Sequence, residues 1–61
     1  PDFDKAFIEA MIPHHQLAII MAQMLKSGTN RSEMLTLANN ITESQSKEIE
    51  EMQSWYKNWY K

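Results

Sequence analysis

Phe3, Phe7, Met11, His14, Ala18, Met21, Ala22 and Leu25 recur at steps of three and four residues. At about 100° per residue they fall on one stripe, which predicts an amphipathic helix over about residues 3–27. Asp2 or Asp4 is placed to cap its start, and Gly28 to end it as a left-handed C′ residue. Asn30 followed three residues later by Glu33 reads as a variant capping box. A turn at 28–30 and a second helix over about 31–60 follow from it. On that helix Met34, Leu37, Ala38, Ile41, Gln45, Glu48, Met52, Trp55, Tyr56 and Trp59 share a face, with Gln45 and Glu48 as polar interruptions. So short a turn predicts antiparallel neighbours in which residue i faces one near about 58 − i. His14 then stands level with Gln45, Met11 with Glu48, and Trp55 with Phe3, the last pair in an aromatic plug at the open end.

The first helix has a further apolar flank at Ile8, Ile12 and Ile19, with Leu17 and Met24 on the other side. Its apolar arc is wider than one partner helix covers. The expected architecture is therefore all-α: an antiparallel two-helix hairpin that completes a four-helix bundle by self-association, as a homodimer or higher homo-oligomer. Packing against part of a longer parent chain is the other way to cover that arc.

Length sharpens this expectation. Sixty-one residues without cysteine form a single domain and have no disulfide or thiolate zinc site to supplement a small core. One glycine and two prolines leave little material for hairpin turns in a sheet. Eight acids against six bases, spread along the chain, give no basic footprint for nucleic acid. No apolar run approaches the roughly 20 residues of a membrane span. A start at Pro1 rather than Met reads as a processed or trimmed product. Pro13 lies inside the first helix, where it cannot donate to the Glu9 carbonyl and is expected to bend the helix toward solvent.

The candidate chemistry lies in five methionines and two adjacent histidines. His14 and His15 are about 100° apart and straddle Met11. Met11 and His15 are i, i+4 neighbours, and Met21 lies two turns beyond His14. Imidazole and thioether ligands suit copper(I) or silver(I). Met11, His14, His15 and Met21 are therefore the candidate ligands, with Glu48 and Gln45 as oxygen ligands or as partners that fix the imidazole tautomers. Met24, Met34 and Met52 read as core filler. The same His, Gln and Glu layer also reads as a structural device that sets bundle register. An enzyme is not expected, because the chain has no Glu-x-x-His pair, Cys nucleophile, Gly-rich phosphate loop or second inward acid beside Glu48.

The string Phe3-Asp4-x-x-Phe7-Ile8-x-x-Met11-Ile12-Pro13-His14-His15-Gln16-x-Ala18-Ile19-x-Met21-Ala22 resembles the bacterial domain-of-unknown-function family 305. Leu37-Ala38-x-x-Ile41-x-x-x-Gln45-x-x-Glu48-Ile49-x-x-Met52-x-x-Trp55 resembles that family's closing positions. The resemblance implies a ferritin-like helical bundle in exported proteins, periplasmic or extracellular, some of which bind copper or silver. It carries over Asp4, Met11, His14, His15, Met21, Gln45, Glu48 and Met52 as motif residues. Relatives often hold two copies of the hairpin, which strengthens the expectation that a second copy joins this one.

Overall fold

The computed structural model describes residues 2–61. Two helices, α1 (Phe3–Gly28) and α2 (Ser32–Trp59), run antiparallel and are joined by Thr29, Asn30 and Arg31. There is no strand among the described residues. Asp2 caps α1, its carboxylate accepting from the Lys5 backbone N–H at 3.2 Å. Pro13 is exposed and α1 continues through it unbroken.

The turn is built differently from the expected glycine stop. Gly28 is the last helical residue, and no glycine among the described residues has a positive φ. The chain leaves at Thr29 (φ −102°, ψ 148°), whose N–H donates to the Leu25 carbonyl at 3.0 Å. Thr29 Oγ1 then accepts from the Arg31 N–H at 3.1 Å, so a hydroxyl closes the turn without a left-handed residue. The expected Asn30–Glu33 box does not form. Arg31 occupies the N-cap position without a side-chain bond, and the Glu33 carboxylate accepts from the Ser32 hydroxyl at 2.9 Å. Glu33's own backbone N–H, and after it that hydroxyl, hold its carboxyl below the usual range.

The seam between the helices also differs from the predicted stripe. On α1 it runs through Ile8, Ile12, His15, Ile19 and Ala22, and on α2 through Leu35, Ala38, Thr42, Gln45, Ile49, Met52 and Tyr56, all buried or half-buried. Both lines alternate steps of three and four, the repeat of coiled-coil packing. Four side chains form the core proper: Ile8, Ala22, Ala38 and Met52. Of the predicted primary stripe, Phe3 (77%), Phe7, His14 and Met21 are exposed, whereas Met11, Ala18 and Leu25 are half-buried and Ala22 is in the core. On α1 the hairpin uses the line with β-branched and small residues, whereas the α2 line mixes Ala38, Thr42 and Ile49 with Leu35, Gln45, Met52 and Tyr56. Small side chains at Ala22 and Ala38 permit close approach of the helices near the turn.

His15 meets Glu48, Glu9 meets Tyr56 and Lys5 meets Tyr60, so facing residue numbers total 63 to 65 rather than about 58. The helices end at Gly28 and begin at Ser32, which already moves the register by two. The rest follows from side chains leaning toward the N-terminus of their own helix, in opposite senses on antiparallel helices.

At the open end the predicted Trp–Phe plug is replaced by a polar clasp. Phe3 stacks on Phe7 and Trp55 on Trp59, each within its own helix and exposed. The helices are bridged by the Tyr56 hydroxyl donating to Glu9 Oε2 at 2.6 Å and by the Lys5 ammonium 5.7 Å from the Tyr60 ring centroid. The hydrogen bond to Glu9, with desolvation after it, raises the Tyr56 phenol above its ordinary value. Desolvation, and after it the Asp2 carboxylate, pushes Tyr60 up to about 12. Both folded values lie above the unfolded value of 10.0, so the clasp's contribution is complete below pH 10 and is lost as pH rises through the folded values. Phenolate absorbance is accordingly expected to develop above the ordinary tyrosine range. Glu9→Gln should return the Tyr56 midpoint toward normal and leave Tyr60 near 12. Two ordinary midpoints in the native chain would show that the clasp does not form.

The hairpin is a rod of 46 × 15 × 12 Å with a radius of gyration of 14.1 Å, against about 10.5 Å for a compact chain of this length. Its accessible surface is 4857 Å², about 700 Å² above the roughly 4100 Å² of a compact monomer of this mass.

Candidate metal centre

Phe7, Met11 and His15 follow one another at four-residue steps along α1. Glu48, Glu51, Met52 and Trp55 face them from α2, and together these residues line an open groove of about 300 Å³. In the observed register His15 and Met11 stand level with Glu48 and Met52, and Phe7 and Trp55 line the groove on the side of the open end. His15 on α1 leans toward the open end and Met52 on α2 toward the turn, so the imidazole and the buried thioether lean toward each other.

The His15 side chain is only 12% exposed, and both ring nitrogens have partners. Nδ1 lies 3.0 Å from the Met11 carbonyl oxygen, which accepts only, so Nδ1 carries the proton in this contact. Nε2 lies 3.4 Å from Glu48 Oε1, a long contact to a half-exposed carboxylate. With Nδ1–H held by the backbone carbonyl, the Nε2 contact to the Glu48 carboxylate is a hydrogen bond only while Nε2 also carries a proton; an ion bound at Nε2 takes that proton's place and has Glu48 beside it. No three His, Asp or Glu side chains converge among the described residues. Any ion held here must therefore take thioethers as well, and two thioethers with one imidazole nitrogen suit a soft ion.

Of the six ligands expected from the sequence, Met11, His15 and Glu48 line this groove. His14 is exposed, its ring centroid 6.4 Å from that of His15 and edge-on to it. Met21 is exposed and Gln45 half-buried in the helix seam, and neither lines the groove. His15 rather than His14 faces α2 because the seam follows Ile8, Ile12 and Ile19. Met52, expected as core, does both jobs: it is buried and also lines the groove. A register allowing for side-chain lean would have set it opposite Met11.

Fold and groove together describe a small all-helical module whose groove is lined by thioether, imidazole, carboxylate and aromatic side chains. The model of the family described as a domain of unknown function, DUF305, matches residues 1–61, and the chain belongs to that family. Among solved structures it is similar to CopM in the Cu(I)-bound form, with 53% identity and a TM-score of 0.94 over 98% of this chain and 43% of that one. CopM in the apo form gives a TM-score of 0.95 at 53% identity, over 98% of this chain and 44% of that one. CopM has also been solved in Ag-bound and Cu(II)-bound forms. The uncharacterized protein L153 of Acanthamoeba polyphaga mimivirus is 41% identical over 51 residues, 84% of this chain and 34% of that protein. The chain thus spans less than half the length of these relatives. No helix among the described residues is long and apolar enough to cross a membrane.

Proposed function

We propose that the protein is a non-enzymatic carrier of copper(I) or silver(I), assembled as a four-helix bundle from two hairpins in an exported, periplasmic or extracellular setting. The observation that carries this reading is the groove in which Met11, Met52 and His15 present two thioethers and an imidazole, with Glu48 at its rim. Further support comes from 53% identity to a protein solved with Cu(I) and with Ag. The setting rests on the family resemblance alone. Assembly is supported by the surplus of accessible surface, which approaches the roughly 800 Å² each partner buries in a standard interface. In this reading His14, Met21 and Gln45 lie outside the ligand set and belong to the assembling surface or the helix seam.

A second reading is favoured by the His15 contacts: a ring held between the Met11 carbonyl and Glu48 also serves as a purely structural layer that fixes helix register. Competition titration of copper(I) and silver(I) against a chelator, with molar mass recorded throughout, separates the two. His15→Ala is expected to weaken binding by about a hundredfold or more, since loss of a partner that only orients a ligand already costs about 10–100-fold. His14→Ala and Met21→Leu should stay within a few-fold of native. No binding by the native chain, or a His15→Ala chain that only falls apart, leaves the structural reading. Equal losses at His14 and His15 would move the site off the groove.

A further inference from the structure

Trp55 lines the groove beside Met11, His15 and Met52, yet it is no part of the helix seam and contributes no lone pair to the donor set. Its indole is stacked parallel to Trp59, at 5.8 Å between centroids and 5° between planes. That stacking restricts how the ring turns. Met52 and Trp55 are i, i+3 neighbours on α2, and side chains of α2 lean toward the turn. Trp55 therefore leans toward the Met11–Met52 layer, whereas Phe7, on antiparallel α1, leans away from it.

We infer that Trp55 is the cap of the groove, presenting its indole face to a soft monovalent cation held by Met11, Met52 and His15. The inference rests on the metal reading proposed above and deepens it. Two thioethers and a ring nitrogen carry no charge, and Glu48 approaches only from the rim beside His15, at 3.4 Å from Nε2, so the side of the ion toward Trp55 is left open to water or competing thiols. An aromatic face meets both needs: its quadrupole attracts the cation, and its bulk excludes solvent from that side. Tryptophan is the strongest of the aromatic residues in this role, and the attraction grows as the cation is desolvated. The carboxylates of Glu48 and Glu51 remain on the rim, where they draw cations to the groove mouth.

Silver(I) is the probe. In a Trp59→Phe chain Trp55 is the only tryptophan, and silver(I) is expected to change its emission saturably, reaching its limit at the stoichiometry of binding. In the otherwise native chain Trp55→Leu should lower silver(I) affinity about tenfold, and Trp55→Phe by less, because it keeps a weaker aromatic face. Helicity and molar mass of the metal-free variants report any structural effect. Silver(I) affinity within about twofold of native for Trp55→Leu, with unchanged Trp55 emission at saturation, would overturn the cap and leave the metal site standing. So would equal losses for Phe and Leu accompanied by lost helicity, since Trp55 would then be a packing residue. Absence of silver(I) binding by the native chain overturns the metal reading and the cap together.

Discussion

Ala38→Leu is expected to lower the thermal midpoint of the native chain by roughly 5–20 °C. Ala38 is the most buried side chain, 1% exposed, and it shares the seam near the turn with Ala22. With both alanines almost fully buried beside a three-residue connection, a branched four-carbon side chain at Ala38 has no free space to enter without moving a helix. Overpacking of this kind costs about 1–3 kcal/mol. The total stability of a 61-residue chain is only about 3–9 kcal/mol, and each kcal/mol moves the midpoint of so small a domain by about 4–8 °C. Ala6→Leu, on the exposed side of α1, controls for helix propensity and should move it by no more than a few degrees. Circular dichroism melts at matched concentration make the comparison, since association also shifts the midpoint. Equal midpoints for the two variants would mean that the closest approach of the helices lies elsewhere than at Ala38.

The same pair of alanines marks where periodicity stops being informative. Both helices, and a hairpin rather than a sheet, follow from three- and four-residue repeats over a chain with one glycine. Which apolar line closes the hairpin does not, because both lines on α1 have the same period and only side-chain shape separates them. Ile8, Ile12 and Ile19 pack inward, and Phe3, Phe7 and Met21 stay outside, although both lines are apolar. Treating the bulkier line as the seam selects His14 and Met21 as ligands. Treating the β-branched line as the seam puts His15 at the groove and brings Met52 to it. Register failed for a related reason. Counting from the turn locates Cα atoms, whereas contacts are made by side chains displaced toward their helix N-termini. The open end carried no such periodic signal: the Glu9–Tyr56 and Lys5–Tyr60 pairings join polar residues far apart in sequence, and they became legible only once the register was known.

If the proposed two-hairpin bundle forms, Met21→Glu is expected to convert it to a monomer of 7.2 kDa and to make its helicity depend steeply on concentration. Met21 is 61% exposed on the hairpin, with the exposed Leu17 and Met24 one turn to either side of it on α1. In a two-fold dimer the substitution enters the interface twice. With about 2 kcal/mol or more for each carboxylate buried without a partner, association weakens by about a thousandfold. Met21 does not line the groove, so the variant removes the partner without touching Met11, His15 or Met52. The consequence for folding follows from the size of the core. Four buried side chains, two of them alanines, bury too little apolar surface to offset the ordering of two long helices. In the proposed bundle the second hairpin supplies much of the burial that holds the first together, so losing it should cost helicity as well as mass. Sedimentation equilibrium alongside circular dichroism reads both. A native chain that stays at 7.2 kDa and melts cooperatively at a concentration-independent midpoint would sink the bundle and require the exposed Phe, Met and Trp side chains to face a partner other than a second copy.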